Sequence, residues 1–353
     1  MRDIISSDGG ILLRRNTRFK DVFRLKLLER NIVSVYIDDE VSKGIEPEEI
    51  LTTAAREKIS TDIKGQFDKL QHNLALDTDT LANTANFLIE QLQSTDMVLE
   101  LGDLKANDND TYEHCIAVAI LTSIVCNKLG LKTDLKVQIV MGALIHDIGK
   151  IILPKDVLNK PGRLTDEEYE IVKTHAEIGY KMIKDNPEIS AITKIAVLCH
   201  HEREDGTGYP LGKKEEVHIS AKIVAACDWF HAMISDRCYR RAMPVSEVIA
   251  FAQTQPMNPR IRKVIESILC YYPVGEMVIL SNGKIGIIEK NFASDIRRPL
   301  VRIVDKVDGR YTSLYRINLL EDDSVYIIER YEKDMRKILD NIENILYIKR
   351  VMN

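Results

Sequence analysis

From residue 110 to residue 270 the chain reads as helix after helix, with none of the period-two alternation that a half-buried strand needs. A run of that length has to build its core from helices alone, and this restricts the fold more than any other feature. One helical stretch runs from near Thr111 to Leu129 and stops at Gly130. The next begins at Thr133 or Asp134 and ends around Lys150. Thr165-Asp166-Glu167-Glu168 has the form of a capping box and opens a third, which Asn186-Pro187 breaks. Another runs into His200-His201, another spans roughly residues 219–235, and Pro244 and Pro259 each start a shorter one.

The flanks differ in character. The first ~45 residues alternate short apolar runs (Ile11-Leu12-Leu13, and Val33 to Ile37) with turn residues, which suggests a small αβ module. From Pro47 the spacing of Leu51, Ala55, Ile59, Ile63, Phe67, Leu70 and Leu74 is helical, and a second stripe follows at Leu81, Ala85, Leu88 and Leu92. The polar stretch Lys105 to Asp110 then marks a domain boundary, giving divisions at 1–104, 105–272 and 273–353. After Tyr272-Pro273, residues 278–288 form two apolar runs around Asn282-Gly283, a strong hairpin signal. Residues 300–304 and 325–328 are further strand candidates, and Met335, Ile338, Ile342 and Ile345 space out a closing amphipathic helix. The expected fold is mainly α, with a small αβ and helical N-terminal region and a small C-terminal β element plus helix.

A formal net charge of −5 gives no global reason to expect DNA or an anionic membrane as partner. No apolar run suits a signal peptide or a membrane span, and the six cysteines form no CxxC pair. Four of them sit in apolar segments, as reduced, buried thiols do; a cytoplasmic protein is the expectation.

Of eight histidines, five fall at helical positions in the central region: His114, His146, His175, His200 and His201. Asp147 follows His146 directly, and Asp228 lies on a later helix. One histidine in an apolar helix usually just satisfies a core hydrogen bond. Five, with two aspartates and one His-His pair, make a different case. Imidazole and carboxylate together suit iron, manganese or zinc, and a carboxylate can bridge two ions. Cys199 and Cys227 each precede a candidate ligand, but one residue along a helix turns a side chain by about 100°, so packing is their expected role.

The order His114, His146-Asp147, Asp228 resembles the HD phosphohydrolase superfamily. The stretch His146-Asp147-Ile148-Gly149-Lys150, followed by His200-His201-Glu202 and Asp205-Gly206-Thr207-Gly208-Tyr209-Pro210, resembles its HD-GYP branch. Lys160-Pro161-Gly162 and the run Ser235 to Arg240 support this, and the resemblance covers about residues 105–275. It implies an HD-GYP catalytic domain at 105–272, with 1–104 as a regulatory or dimerising region whose sequence names no signal.

The resemblance further implies two or three divalent metal ions, iron or manganese by preference. His114, His146, Asp147 and Asp228 would hold one, and Asp147, bridging, with His175, His200 and His201 would hold the second. Some members have a glutamate at the position of Asp110 that binds a third ion; Asp110 stands four residues before His114, and helix capping is its rival role. Asp147 and Lys150 would be catalytic, with Lys150 presenting its ammonium to the phosphate as charge builds up. Arg237, Arg240 and Tyr209 match substrate-binding positions, although a surface salt bridge is a serious rival for either arginine. The implied reaction is hydrolysis of cyclic di-GMP to linear pGpG, with GMP as a further product. Other readings are a phosphodiesterase for another cyclic dinucleotide such as cyclic GMP–AMP, and a catalytically silent receptor. The loop at 206–210 is also a candidate surface for partner proteins, and a homodimer is compatible with the chain. Departures from the branch are Cys238 in place of a usual proline, His231 where an aspartate often stands, and Lys222 where arginine is common.

Overall fold

A computed structural model of the chain describes residues 4–5, 11–14, 17–18, 20–28, 39, 41–46, 48–72, 74–93, 98–99, 111–160, 162–213, 217–235, 243–307 and 310–330. The expected strand at 33–37 and closing helix at 335–345 lie outside these. The chain divides into two compact units, one of residues 49–269 and one of residues 1–48 with 270–353.

The first unit is helical. It comprises α2 (Thr53–Gln71), α3 (Thr78–Gln91), α4 (Thr111–Lys128), α5 (Thr133–Ile145), a 3-10 turn at Ile148–Ile152, α6 (Lys155–Leu158), α7 (Asp166–Lys173), α8 (His175–Ile183), α9 (Ala191–Cys199), α10 (Ile219–Ile234), α11 (Val245–Ala252) and α12 (Pro259–Glu266). Every residue of α4 from Cys115 to Cys126 is buried, so this helix is apolar all round rather than amphipathic, as a central core helix must be. Gly130 ends it at φ 69°, in the left-handed region where a glycine carries no Cβ penalty. The Thr165 hydroxyl accepts from the Glu168 N–H while the Glu168 carboxylate accepts from the Thr165 N–H, completing the expected capping box at α7.

The division at 104/105 is not where the packing divides. Ile59, Ile63, Phe67 and Leu70 of α2, and Leu81, Ala85 and Leu88 of α3, are buried, and these helices contact α4 and α5. The polar stretch 105–110 interrupts the hydrophobic pattern without separating the core, because the apolar stripes of α2 and α3 pack on the helices that follow it.

The second unit holds β1 (Ile4–Ile5), β2 (Ile11–Leu13), α1 (Asp21–Leu28) and a five-stranded antiparallel sheet in the order β6-β5-β4-β3-β7. Its strands are β3 (Met277–Leu280), β4 (Ile285–Lys290), β5 (Leu300–Val307), β6 (Arg310–Asn318) and β7 (Ile327–Arg330). Val278, Leu280, Ile288, Val301, Ile303, Leu319 and Val325 form its core. Val41 packs with Ile287 and Val304, and the buried Arg302 guanidinium donates to the carbonyls of Val41 and Lys43 at 3.3 and 2.7 Å. The N-terminal segment is thereby joined to a sheet some 260 residues away in sequence. The same guanidinium grips Glu289, which also accepts from Arg316; although burial opposes ionisation, these two cations hold its carboxyl down to about 2.

Candidate metal centre

Most of the expected ligands stand at or near helix ends, where chain direction changes and side chains from different helices can meet. His146 and Asp147 follow the end of α5, His175 opens α8, and His200 and His201 follow α9. His114 lies in the first turn of α4 and Asp228 within α10. Close approach of the 3-10 turn to α8 requires Gly149: a Cβ there would stand 2.0 Å from the His175 carbonyl oxygen and 2.6 Å from the Gly179 nitrogen. That crossing brings His175 to Asp147.

Two groups result. The ligand atoms of Asp147, His175, His200 and His201 lie within 4.8 Å of one another, and so do those of His114, His146 and Asp228. Asp147 is common to both surroundings, because its two oxygens face apart. Oδ1 is 3.2 Å from His175 Nε2 and 3.7 Å from His200 Nε2. Oδ2 is 3.5 Å from both His114 Nε2 and His146 Nε2. Asp228 completes the second group, with Oδ1 3.0 Å from His114 Nε2 and 4.0 Å from His146 Nε2. Its Oδ2 lies 3.9 Å from His201 Nδ1.

The histidines are oriented by one repeated device. In His146, His175 and His200 the Nδ1–H donates to the carbonyl three residues earlier, Ala143, Val172 and Val197, at 2.8, 2.6 and 2.7 Å. A carbonyl only accepts, so the proton is on Nδ1 and the lone pair on Nε2, facing inward. Burial lowers the pKa of all three, and of His201, keeping the rings neutral. His175 Nε2 and His200 Nε2 are therefore two lone pairs aimed at each other across 3.1 Å. His146 Nε2 and Asp147 Oδ1 are buried without a hydrogen-bond partner among the described residues. Inward lone pairs of this kind need a cation between them, so the donor set fits divalent metal ions.

Burial by itself would raise the carboxyls of Asp147 and Asp228. The Lys150 ammonium first outweighs it at Asp147, and His114 first does so at Asp228, holding both well below the usual range. Lys150 Nζ is hydrogen-bonded to Asp147 Oδ2, so the ammonium that the sequence aims at a phosphate rests on the shared carboxylate. Cys115 also sits within 4.8 Å of the His146 and Asp147 ligand atoms, but burial pushes its thiol well up and keeps it protonated. Cys199 and Cys227 are free and buried, as packing residues are.

Tyr209 is brought to the centre by its loop. Its ring stacks on His201 with centroids 4.6 Å apart, and the Lys173 ammonium lies 5.8 Å from its centroid. Asp110, Arg237 and Arg240 lie outside the described residues.

Three contributors escaped the sequence reading. Lys173 was hidden as an ordinary helix-end lysine. Glu202, quoted only as part of a motif, accepts from the backbone N–H groups of Leu211, Gly212 and Lys213 at 2.6, 3.2 and 3.2 Å and so fastens the loop. His231 was noted only as a departure, yet its Nδ1 lies 2.9 Å from His114 Nδ1. Its spacing of three from Asp228, on the same helix face, was the signal available.

Residues 78–261, just over half of the chain, match the family model described as HD domain. The chain belongs to the HD domain family. A Pseudomonas aeruginosa protein named Cyclic di-GMP phosphodiesterase PA4108 is 34% identical over 215 residues, covering 60% of this chain and 52% of that one. A Thermotoga maritima protein named Cyclic di-GMP phosphodiesterase is 37% identical over 188 residues, covering 52% and 49%. The chain thus spans about half the length of these relatives. Among solved structures, Bd1817, an HDG"Y"P protein from Bdellovibrio bacteriovorus, superposes with a TM-score of 0.50 at 16% identity, covering 75% of this chain and 92% of that one; this likeness is one of fold. The HD-GYP resemblance of the sequence agrees with these matches, and the HD domain unit carries the clustered histidines and aspartates. No helix among the described residues is long and apolar enough to cross a membrane.

Proposed function

We propose that the chain is a metal-dependent phosphodiesterase that hydrolyses cyclic di-GMP to linear pGpG, with GMP as a further product. The observation that carries this is Asp147: Oδ1 faces His175 and His200, and Oδ2 faces His114 and His146, with the His146, His175 and His200 rings held neutral and anchored with Nε2 inward. That is the donor arrangement for two neighbouring ions sharing one carboxylate, and the names of the similar Pseudomonas and Thermotoga proteins supply the substrate. His114, His146, Asp147 and Asp228 would hold one ion, and Asp147, His175, His200 and His201 the other. Nitrogen and oxygen donors without a thiolate suit iron or manganese. Bound there, the ions would acidify water near neutral pH and offset charge on the phosphoryl oxygens.

The chain's own residues do the rest. The carbonyl-anchored imidazoles keep their lone pairs inward without reorganisation. Asp147 and Asp228 stay ionised, so the centre carries the negative charge that holds cations. Lys150, resting on Asp147, lies close enough to turn its ammonium to a phosphate oxygen as charge grows. Tyr209, stacked on His201, offers an aromatic face beside the centre on which a guanine can lie. Arg237 and Arg240 are proposed to bind the phosphate or guanine. A cytoplasmic setting accords with five buried cysteines among the described residues, none of them in a disulfide there.

Two Vibrio cholerae relatives, named 3'3'-cGAMP-specific phosphodiesterases, are 31% and 29% identical, so a mixed cyclic dinucleotide is the second reading. One experiment separates these: purify the protein anaerobically, quantify bound metal, and follow a panel of cyclic dinucleotides by chromatography. Cyclic di-GMP should be consumed fastest, giving pGpG. Metal-loaded protein that hydrolyses none of the panel would overturn the proposal, and faster turnover of cyclic GMP–AMP would install the second reading.

A further inference from the structure

His114 is supported differently from the other inward-facing histidines. Where His146, His175 and His200 lean on backbone carbonyls, His114 Nδ1 meets another imidazole nitrogen, His231 Nδ1, at 2.9 Å. His231 is 1% exposed and lies one helical turn beyond Asp228 on α10. Its Nε2 is 3.1 Å from the hydroxyl of Ser235, a further turn along and 6% exposed. A carbonyl can only accept, but an imidazole nitrogen either donates or accepts, and between two neutral rings one Nδ1 must carry the hydrogen.

The chain Ser235–His231–His114 therefore has two hydrogen-bond directions. In one, His114 Nδ1–H donates to His231, His231 Nε2–H donates to Ser235 Oγ, and His114 Nε2 keeps a lone pair for a cation. In the other, the Ser235 hydroxyl donates to His231 Nε2, His231 Nδ1–H donates to His114, and His114 Nε2–H donates to Asp228 Oδ1, 3.0 Å away. The number of hydrogens is the same, but the second direction closes the site. We propose that His231 is a positioning residue that selects the ligand form of His114, so that cation affinity at the His114–His146–Asp228 site is set by a side chain outside the ligand set. The His175 and His200 rings of the other group have no such dependence, because backbone carbonyls fix their tautomers.

This rests on the reading of these residues as metal ligands, and the test keeps the two apart. Mn2+ binding to the full chain is measured by equilibrium dialysis across graded free Mn2+, with circular dichroism confirming the fold. Wild-type protein should show two classes of site. His231→Leu should weaken one class by about 10–100-fold, the usual effect of removing a partner behind a metal-binding histidine, and leave the other unchanged. His231→Asn, which keeps an acceptor near the Nδ1 position, should recover most of the loss. If His231→Leu does not fold, Ser235→Ala carries the test, with a smaller loss at the same class. Folded His231→Leu that binds Mn2+ like wild type, His231→Asn as weak as His231→Leu, or unchanged binding by Ser235→Ala in that fallback would each overturn the proposal while leaving two-metal binding intact. Wild-type protein that binds no Mn2+ would remove the metal reading itself.

Discussion

At the scale of single residues, Asp147 and Lys150 make separable predictions. Asp147 is 1% exposed, and its two oxygens lie within 3.7 Å of His175 and His200 on one side and of His114 and His146 on the other. Asp147→Ala should keep the helical circular dichroism signal, lose bound metal and drop turnover to background; a folded, fully active variant would exclude a shared-carboxylate mechanism. Lys150 is not among the groups with inward lone pairs, so Lys150→Ala should keep its metal. Its kcat should fall on the order of 10²–10³, roughly 3–4 kcal/mol, as when one preorganised contact to developing charge is removed. KM should change much less. Steady-state kinetics beside metal analysis decide this, and an unchanged kcat with a raised KM would make Lys150 a binding residue only. These residues were legible in the sequence because polar groups in otherwise apolar helices need a reason to be there. His231 meets the same criterion, being a buried polar side chain one turn beyond Asp228 on an otherwise largely apolar helix. Glu202 was harder to read, since its partners are backbone amides nine to eleven positions away.

At the scale of elements, the loop after His201 offers the sharpest test. Gly208 passes so close to the His201–Arg203 backbone that a Cβ would stand 2.4 Å from the His201 carbonyl oxygen and 2.5 Å from the Arg203 nitrogen. Backbone cannot swing aside as a side chain can, so Gly208→Ala must shift the loop, at a cost of roughly 1–3 kcal/mol, the range for overpacking a tight site. Tyr209 should lose its stack on His201, raising KM more than it lowers metal content. A thermal melt and KM both at wild-type values would mean the loop tolerates the methyl and does not hold Tyr209 in place. The helices themselves were readable from periodicity, caps and prolines, and the Asn282-Gly283 hairpin from its turn. Strand β6 was not: among the described residues it pairs only with β5, and it exposes Leu314, Tyr315 and Arg316, so its sequence lacks a clean alternation. Nor could local pattern show that Val41 and Lys43 join a sheet begun near residue 277, because that joining is made by contacts distant in sequence, Val41 on Ile287 and Val304 and the Arg302 guanidinium on two backbone carbonyls.

At the scale of the whole molecule, the centre makes stability depend on pH and metal together. His146, His175, His200 and His201 are held neutral chiefly by burial, so their folded pKa values lie below the ~6.5 of an unfolded histidine. Between those values the unfolded chain binds protons that the folded chain refuses. Stability therefore rises with pH in that window and is lost as pH falls below about 6.5, by up to about 1.4 kcal/mol per pH unit for each histidine. Asp147 and Asp228, held below the usual range, add a loss of the same sign below about pH 4. A divalent ion bound only by the folded chain adds about 2.7 kcal/mol at a hundred times its Kd. It requires the same neutral nitrogens, so its increment should shrink on acidification too. Melting the full chain at pH 7.5, 6.5 and 5.5, with chelator and with Mn2+, should show the chelated Tm falling with pH and the Mn2+ increment falling faster than the chelated Tm alone accounts for. A chelated Tm that is flat or rises toward pH 5.5 would mean that these histidines are not buried as neutral rings, and the inward lone pairs on which the metal centre rests would lose their basis.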